Sequence, residues 1–178
     1  MILIFTGMPC SGKSSALEVV RAAEIPIVVL GDAVREKIYK EGIRKDLREY
    51  STELRKKYGN GVVATLCLDK IKGYLKKNSI VCIDGARCLE EIDVFRENFK
   101  EVVVVAVHSS PETRLKRFLK RKRDDDTVTE DGFKKRDAVE LGWGVGSVIA
   151  MGDFVIINEG SIDELKTSVK QLLKNFKK

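Results

Sequence analysis

Gly7-Met8-Pro9-Cys10-Ser11-Gly12-Lys13-Ser14 is the stretch that decides how this chain folds. It fits G-x-x-x-x-G-K-[ST] at every fixed position. Average amino-acid usage produces such a pattern in roughly one chain in 150–200. Here an apolar run, Ile2 to Phe5, precedes it and a helical pattern, Ser15 to Ala23, follows. That context weighs against a plain glycine turn. In such a loop the glycines let the backbone turn so that successive N–H groups face inward and cradle phosphates. The following helix directs its positive N-terminal end at the same anion. Gly7, Met8, Pro9, Cys10, Ser11, Gly12, Lys13, Ser14 and Ser15 are therefore the candidate ATP-binding residues. Lys13 reaches the β- and γ-phosphates, and the Ser14 hydroxyl is a candidate Mg²⁺ ligand.

Four more apolar runs lie outward from this loop: Ile27 to Leu30, Ile80 to Ile83, Val102 to Val107 and Phe154 to Ile157. They are rich in β-branched residues and lack polar alternation, which suits strands of a parallel sheet covered on both faces. Helical patterns separate them. Val63, Leu66, Cys67, Ile71, Tyr74 and Leu75 recur at three and four. So do Ile162, Leu165, Val169, Leu172, Leu173 and Phe176, opened by a capping-box pattern from Ser161 to Glu164. Ser110-Pro111 is a start signal for a helix carrying Leu115, Phe118 and Leu119. Strands alternating with helices give an α/β fold with right-handed crossovers, in one domain over residues 1–178. Two stretches exceed a minimal plan. Residues 32–77 hold too many helical patterns for one crossover. Arg123 to Gly146 is polar, then glycine-rich, and reads as a partly ordered excursion.

Composition narrows the setting. The 178 residues are 43% hydrophobic and 34% charged, which is globular rather than disordered. No apolar run approaches the length of a bilayer span. The opening Met1 to Thr6 is too short, and lacks the basic flank, for a signal peptide, so a cytoplasmic location is expected. Cys10, Cys67, Cys82 and Cys88 form no CxxC pair and His108 is the single histidine, so no zinc site of the usual ligand types is expected. Cys67 and Cys82 read as small core residues, and His108 as structural rather than a base. The net charge of +6 suits a polyanion, either nucleotide phosphates or nucleic acid.

Three further groups belong with the phosphate loop. Asp84, at the end of the third run, is placed to hold Mg²⁺ or its waters; read alone it is a turn residue. Arg35 and Arg87 follow the second and third runs and emerge at the carboxyl edge of the sheet, where open α/β sheets bind ligands. As a pair they form a candidate clamp for an acceptor phosphate. Singly, each reads as a helix charge paired with Glu36 or Glu90. Arg121, Arg123 and Arg136 are candidate lid arginines that bring positive charge to the transferring group. Arg114 and Arg117 read instead as a solvated basic face. Trp143, among Gly142, Gly144 and Gly146, has no assigned role beyond a core anchor or hinge.

Gly7 to Ser14, Gly31-Asp32 with Arg35, Asp84-Gly85 with Arg87, and Arg123-Asp124-Asp125 with Arg136 resemble the adenylate kinase pattern. Asp153 to Ser161 is similar instead to dephospho-CoA kinases. Over nearly its full length the chain resembles the archaeal adenylate-kinase-like, dephospho-CoA-kinase-related P-loop proteins. The resemblance implies a three-layer P-loop NTPase fold with sheet order 2-3-1-4-5. It also implies an acceptor-binding insertion at 32–77, a lid at 120–146, and Asn158 in the turn where the donor adenine rests. Two departures stand out. Only Ala86 separates Gly85 from Arg87, where adenylate kinases have a proline as well, and Arg44 to Tyr58 matches no acceptor pocket.

The expected activity is ATP- and Mg²⁺-dependent phosphoryl transfer to a nucleoside monophosphate-like acceptor. One alternative is phosphorylation of a hydroxyl, with Asp32 as the base. Another is an ATP-binding switch or RNA-associated protein; beyond Phe118 no aromatic interleaves the basic cluster, which argues against it.

Overall fold

Every residue of β1 (Ile2–Thr6) is buried, as a strand covered on both faces requires. In the computed structural model, which describes residues 1–120 and 128–176, the remaining strands are β2 (Ile27–Val29), β3 (Val81–Asp84), β4 (Val102–His108) and β5 (Phe154–Ile157). Among those residues the five strands form one parallel sheet in the order β2-β3-β1-β4-β5. The order and the three layers agree with the reading of the sequence. No helix among the described residues is long and apolar enough to cross a membrane.

Alternation along β1 splits the core in two. Leu3 and Phe5 pack with Cys82, Val105 and Val107 under α1 (Lys13–Ala22) and α10 (Ile162–Lys174), which contribute Leu17, Val20, Leu165 and Val169. The expected capping box opens α10: Ser161 accepts from the Glu164 N–H while the Glu164 carboxylate accepts from the Ser161 N–H. Ile2 and Ile4 face the other way, with Val28, Ile83 and Val104. This second core is covered by the helices between β2 and β3 and by α6 (Leu89–Asn98), which supplies Ile92 and Phe95.

The crossover from β2 to β3 consists of α2 (Leu30–Lys40), α3 (Leu47–Tyr58), α4 (Val62–Thr65) and α5 (Leu68–Leu75). The single helix expected from Val63 to Leu75 is broken at Leu66 and Cys67; Cys67 is buried while Leu66 is 42% exposed. The excursion expected to be partly ordered is helical from Glu130 onward. It forms α8 (Glu130–Trp143) and α9 (Val145–Ala150), joined at the left-handed Gly144. Thr129 caps α8 by accepting from the Gly132 N–H at 3.1 Å. The preceding helix, α7 (Pro111–Lys120), starts at the Ser110-Pro111 signal, with the Thr113 N–H donating to the Ser110 hydroxyl at 3.3 Å.

One ion pair is sealed inside the second core. Arg55 on α3 donates Nη2–H to Oε1 of Glu91 on α6 at 2.6 Å, with side-chain exposures of 5% and 0%. Burial pushes the Glu91 carboxyl above the usual carboxylate range, opposed by Arg55 and by the Arg87 N–H. Burial likewise pushes the Cys67 and Cys88 thiols up to about 12, so neither is a thiolate at neutral pH. Because one partner left alone keeps an uncompensated buried charge, Arg55→Ala is expected to cost about 3–5 kcal/mol. Urea unfolding measures this, and a loss below about 1 kcal/mol would show that the pair is not buried in solution.

Candidate functional site

The loop from Gly7 to Gly12 is bent by three residues of positive φ: Gly7 at 153°, Cys10 at 62° and Gly12 at 102°. At Gly12 a Cβ would press on the side-chain amide of Asn158, and the left-handed φ independently favours glycine. Lys13, Ser14 and Ser15 form the first turn of α1, whose N–H groups lack intrahelical acceptors. All of Gly7 to Ser15 line a cleft of about 660 Å³. Lys13 Nζ is bonded to Asp84 Oδ1, with exposures of 21% and 18%. The register of β1 against β3, which sets Phe5 beside Asp84, brings them together.

Behind the loop, its carbonyl groups are satisfied by side chains. Asn158 Nδ2 donates to the Ser11 carbonyl at 2.8 Å. Arg117 Nη2 donates to the Asn158 carbonyl at 3.0 Å, and Nη1 to the Ser109 hydroxyl at 2.9 Å. Arg114 donates to the Pro9 carbonyl at 3.3 Å and forms a two-point pair with Asp137, at 2.8 and 2.7 Å. One expectation is corrected here. Arg114 and Arg117 are not a solvated face: Arg114 is 4% exposed, and Arg117 lines the cleft. The carbonyls of the loop need donors, and α7 supplies them. Asn158, which the resemblance places in the adenine turn, is 6% exposed, and its side chain braces the loop from behind. His108 is exposed at the end of β4, where its carbonyl accepts from the Asn158 N–H at 2.7 Å.

The Ser14 hydroxyl and the Asp84 carboxylate open onto the same cleft. Two oxygen donors of this kind suit Mg²⁺, a hard cation that keeps several waters and shares its shell with substrate phosphates. No group of three His, Cys, Asp or Glu among the described residues could hold a metal by itself.

Arg35, Arg48, Arg87, Arg136 and Trp143 also line the cleft. Arg35 is bonded to Asp32, with exposures of 60% and 48%. Asp32, the candidate base, is absent from the cleft lining; the α2 turn from Asp32 to Arg35 pairs the two side chains with each other. Neither Glu36 nor Glu90 partners Arg35 or Arg87. Arg87 Nε instead donates to Glu140 Oε2 at 2.7 Å, across 53 residues. Burial works to lower the Arg87 pKa, but Glu140, Glu91 and Asp84 together hold it above the ordinary value. The backbone here is special too: Gly85 has φ 95°, which returns the chain so that the Arg87 N–H reaches Glu91 Oε2 at 2.7 Å.

Trp143 now has a place. Its Nε1–H donates to the Thr52 hydroxyl at 3.2 Å, and the guanidinium groups of Arg55 and Arg87 lie 5.1 and 5.2 Å from its ring centre. Arg136 is on α8, one turn before Glu140, and lines the cleft. Arg121 and Arg123, the other expected lid arginines, lie outside the described residues. Sequence reasoning missed Glu140, Arg117 and the bracing role of Asn158. Only the helical spacing of Arg114, Arg117 and Phe118, which share a face of α7, hinted at any of them.

Removing the Asn158 amide takes the nearest of its donors from the Ser11 carbonyl, which the Ser109 hydroxyl also reaches at 3.1 Å, at a cost of about 0.5–1.5 kcal/mol. Asn158→Ala is therefore expected to lower both stability and the affinity for MgATP, the latter by about tenfold. Calorimetric titration with the nucleotide checks this. Unchanged affinity would mean that the loop keeps its shape without the brace.

An AAA domain model matches residues 6–131 of the chain. A UPF0200 protein of Sulfurisphaera tokodaii is 42% identical over 176 residues, covering 98% of this chain and 97% of that one. The Pyrococcus furiosus UPF0200 protein is 43% identical, covering 97% and 96%. Among solved structures, the shikimate kinase of Aquifex aeolicus matches with a TM-score of 0.54 at 18% identity, covering 99% and 98%; that likeness concerns the fold. With its phosphate loop, its 2-3-1-4-5 sheet and full-length identity of this order, the chain carries the AAA domain and belongs to the UPF0200 family.

Proposed function

We propose that this protein transfers the γ-phosphoryl group of ATP, bound with Mg²⁺, to a nucleotide-like acceptor that already bears a phosphate. The carrying observation is that one cleft is lined both by the phosphate loop with Lys13 and by Arg35, Arg87 and Arg136. A donor triphosphate suits the loop, a smaller anion suits the added arginines, and the reacting oxygens would meet within the same cleft.

In this reading the inward N–H groups of the loop bind the β- and γ-phosphates, and Lys13 exchanges Asp84 for phosphate oxygens. Ser14 and Asp84 would hold Mg²⁺, which would supply charge neutralisation for the phosphates when bound. An acceptor phosphate oxygen attacks the γ-phosphorus, the bond to the β–γ bridging oxygen breaks, and ADP leaves carrying that electron pair. The acceptor gains one phosphoryl group. Its attacking oxygen is already ionised, so no general base is needed. Positioning and charge stabilisation then supply the catalysis, with Arg136 on the transferring group. Asp32, half exposed and bonded to Arg35, supports this reading over a hydroxyl acceptor that needs a carboxylate base.

The deciding experiment is a product-detected screen of AMP, other nucleoside monophosphates, dephospho-CoA and short RNA, each with ATP and Mg²⁺. Phosphorylated product from a nucleoside monophosphate is expected. Lys13→Ala should remove that turnover with the fold intact, and undiminished activity in that variant refutes the assignment. Arg87→Ala should raise the acceptor KM by at least about tenfold while moving the ATP KM much less; equal effects on both would remove Arg87 from acceptor binding. Asp32→Asn should keep near-normal kcat. A loss of several hundredfold would establish the hydroxyl reading instead.

A further inference from the structure

Arg87 is held from three sides. Glu91, fully buried, fixes its backbone N–H at 2.7 Å. Glu140, whose side chain is 10% exposed, takes its Nε–H at 2.7 Å. Trp143, one turn after Glu140 on α8, lies against its guanidinium. A guanidinium has five N–H donors in a fixed plane. One goes to Glu140, and a second, on Nη1, makes a long 3.3 Å contact with the Gly85 carbonyl. Three remain, two of them on Nη2, which has no protein partner among the described residues.

We propose that Glu140 is a positioning residue for the acceptor. By occupying the Nε side of Arg87 it leaves the opposite edge, Nη1 with Nη2, facing the acceptor, so that an anionic group is met end-on by two parallel N–H bonds. This deepens the phosphoryl-acceptor reading of the cleft and rests on it. The substrate class it names is an acceptor with a phosphate or carboxylate able to take a fork of two donors. The chemistry explains why a carboxylate stands in a site that must attract anions. Taken only as charge, Glu140 opposes the acceptor; taken as geometry, it prevents the guanidinium from swinging its Nε edge into the cleft. Preorganisation of this kind lowers the ordering cost when the anion binds. Because Glu140, Trp143 and Arg136 share α8, the orientation of Arg87 is tied to the same helix that brings Arg136 to the cleft.

The two roles predict opposite results. Trp143 is the sole tryptophan, so its emission reports on the ring face against Arg87 without any turnover. The protein is first saturated with Mg²⁺ and a non-hydrolysable ATP analogue to fill the phosphate loop. AMP, and inorganic phosphate in a separate arm, are then titrated. Glu140→Gln keeps an oxygen acceptor for Nε and is expected to bind the probe within about threefold of wild type. Glu140→Ala is expected to bind it at least about tenfold more weakly, the loss of a charge-assisted hydrogen bond's worth of orientation. If the carboxylate acts only as a counter-charge, both variants bind the probe more tightly, and the proposal is overturned. It is also overturned if neither probe changes Trp143 emission in analogue-loaded wild type. Analogue affinity serves as the folding control for each variant. Should Glu140→Ala fail it, Arg87→Lys decides: lysine has no fork, so an end-on acceptor site loses at least about tenfold in probe affinity, and retained affinity refutes it. Failure of the analogue to bind wild type would overturn the phosphotransferase reading itself and is thereby told apart from failure of this one.

Discussion

A phosphate loop can turn its N–H groups inward only if its carbonyl groups find donors outside it. That requirement organises much of this molecule. The carbonyls of Pro9 and Ser11 face Arg114 and Asn158, and Arg117 and Ser109 secure the Asn158 carbonyl in turn. A buried carbonyl without a partner costs as much as a lost hydrogen bond, so a loop bent by positive φ at Cys10 and Gly12 needs this backing. The end of β4, the end of β5 and one face of α7 are committed to it.

The same logic governs Arg87 with the charges exchanged. Arg87 is a cation that must stay oriented in a partly buried place, and two carboxylates and an indole hold it. Glu91 also anchors Arg55 from α3, so the helices between β2 and β3 are tied to the β3–α6 turn by a buried charge pair. Trp143 lies against both guanidiniums, which joins α8 to the same point. Buried ion pairs add little net stability compared with apolar packing. Their value here is geometric, since each fixes the direction of a group that borders the cleft.

Much of this was legible in the sequence because it is local. Strands without polar alternation, the capping box at Ser161, the Ser110-Pro111 start and the G-x-x-x-x-G-K-S run each depend on neighbours within a few residues. Strand ends moved by at most one position, and Phe154 to Ile157 not at all. Where reading failed, the deciding partner was far away. Arg114 and Arg117 carry the same charge pattern as a solvated helix face, and only the proximity of Pro9 and Asp137 makes one of them a buried strut. The break in the Val63 to Leu75 pattern, between α4 and α5, likewise has no breaker residue at Leu66 or Cys67 to announce it.

By itself, then, the chain determined a parallel α/β sheet with a phosphate-cradling turn at the carboxyl end of its first strand, since backbone sterics and apolar periodicity act over short range. Tertiary structure alone decided which arginines border the cleft and which edge Arg87 offers. Those outcomes rest on pairs such as Arg87 with Glu140, Asn158 with Ser11 and Arg55 with Glu91. The members of each pair lie 53, 147 and 36 residues apart, and charge complementarity at such separations has no signature until the fold brings the partners together.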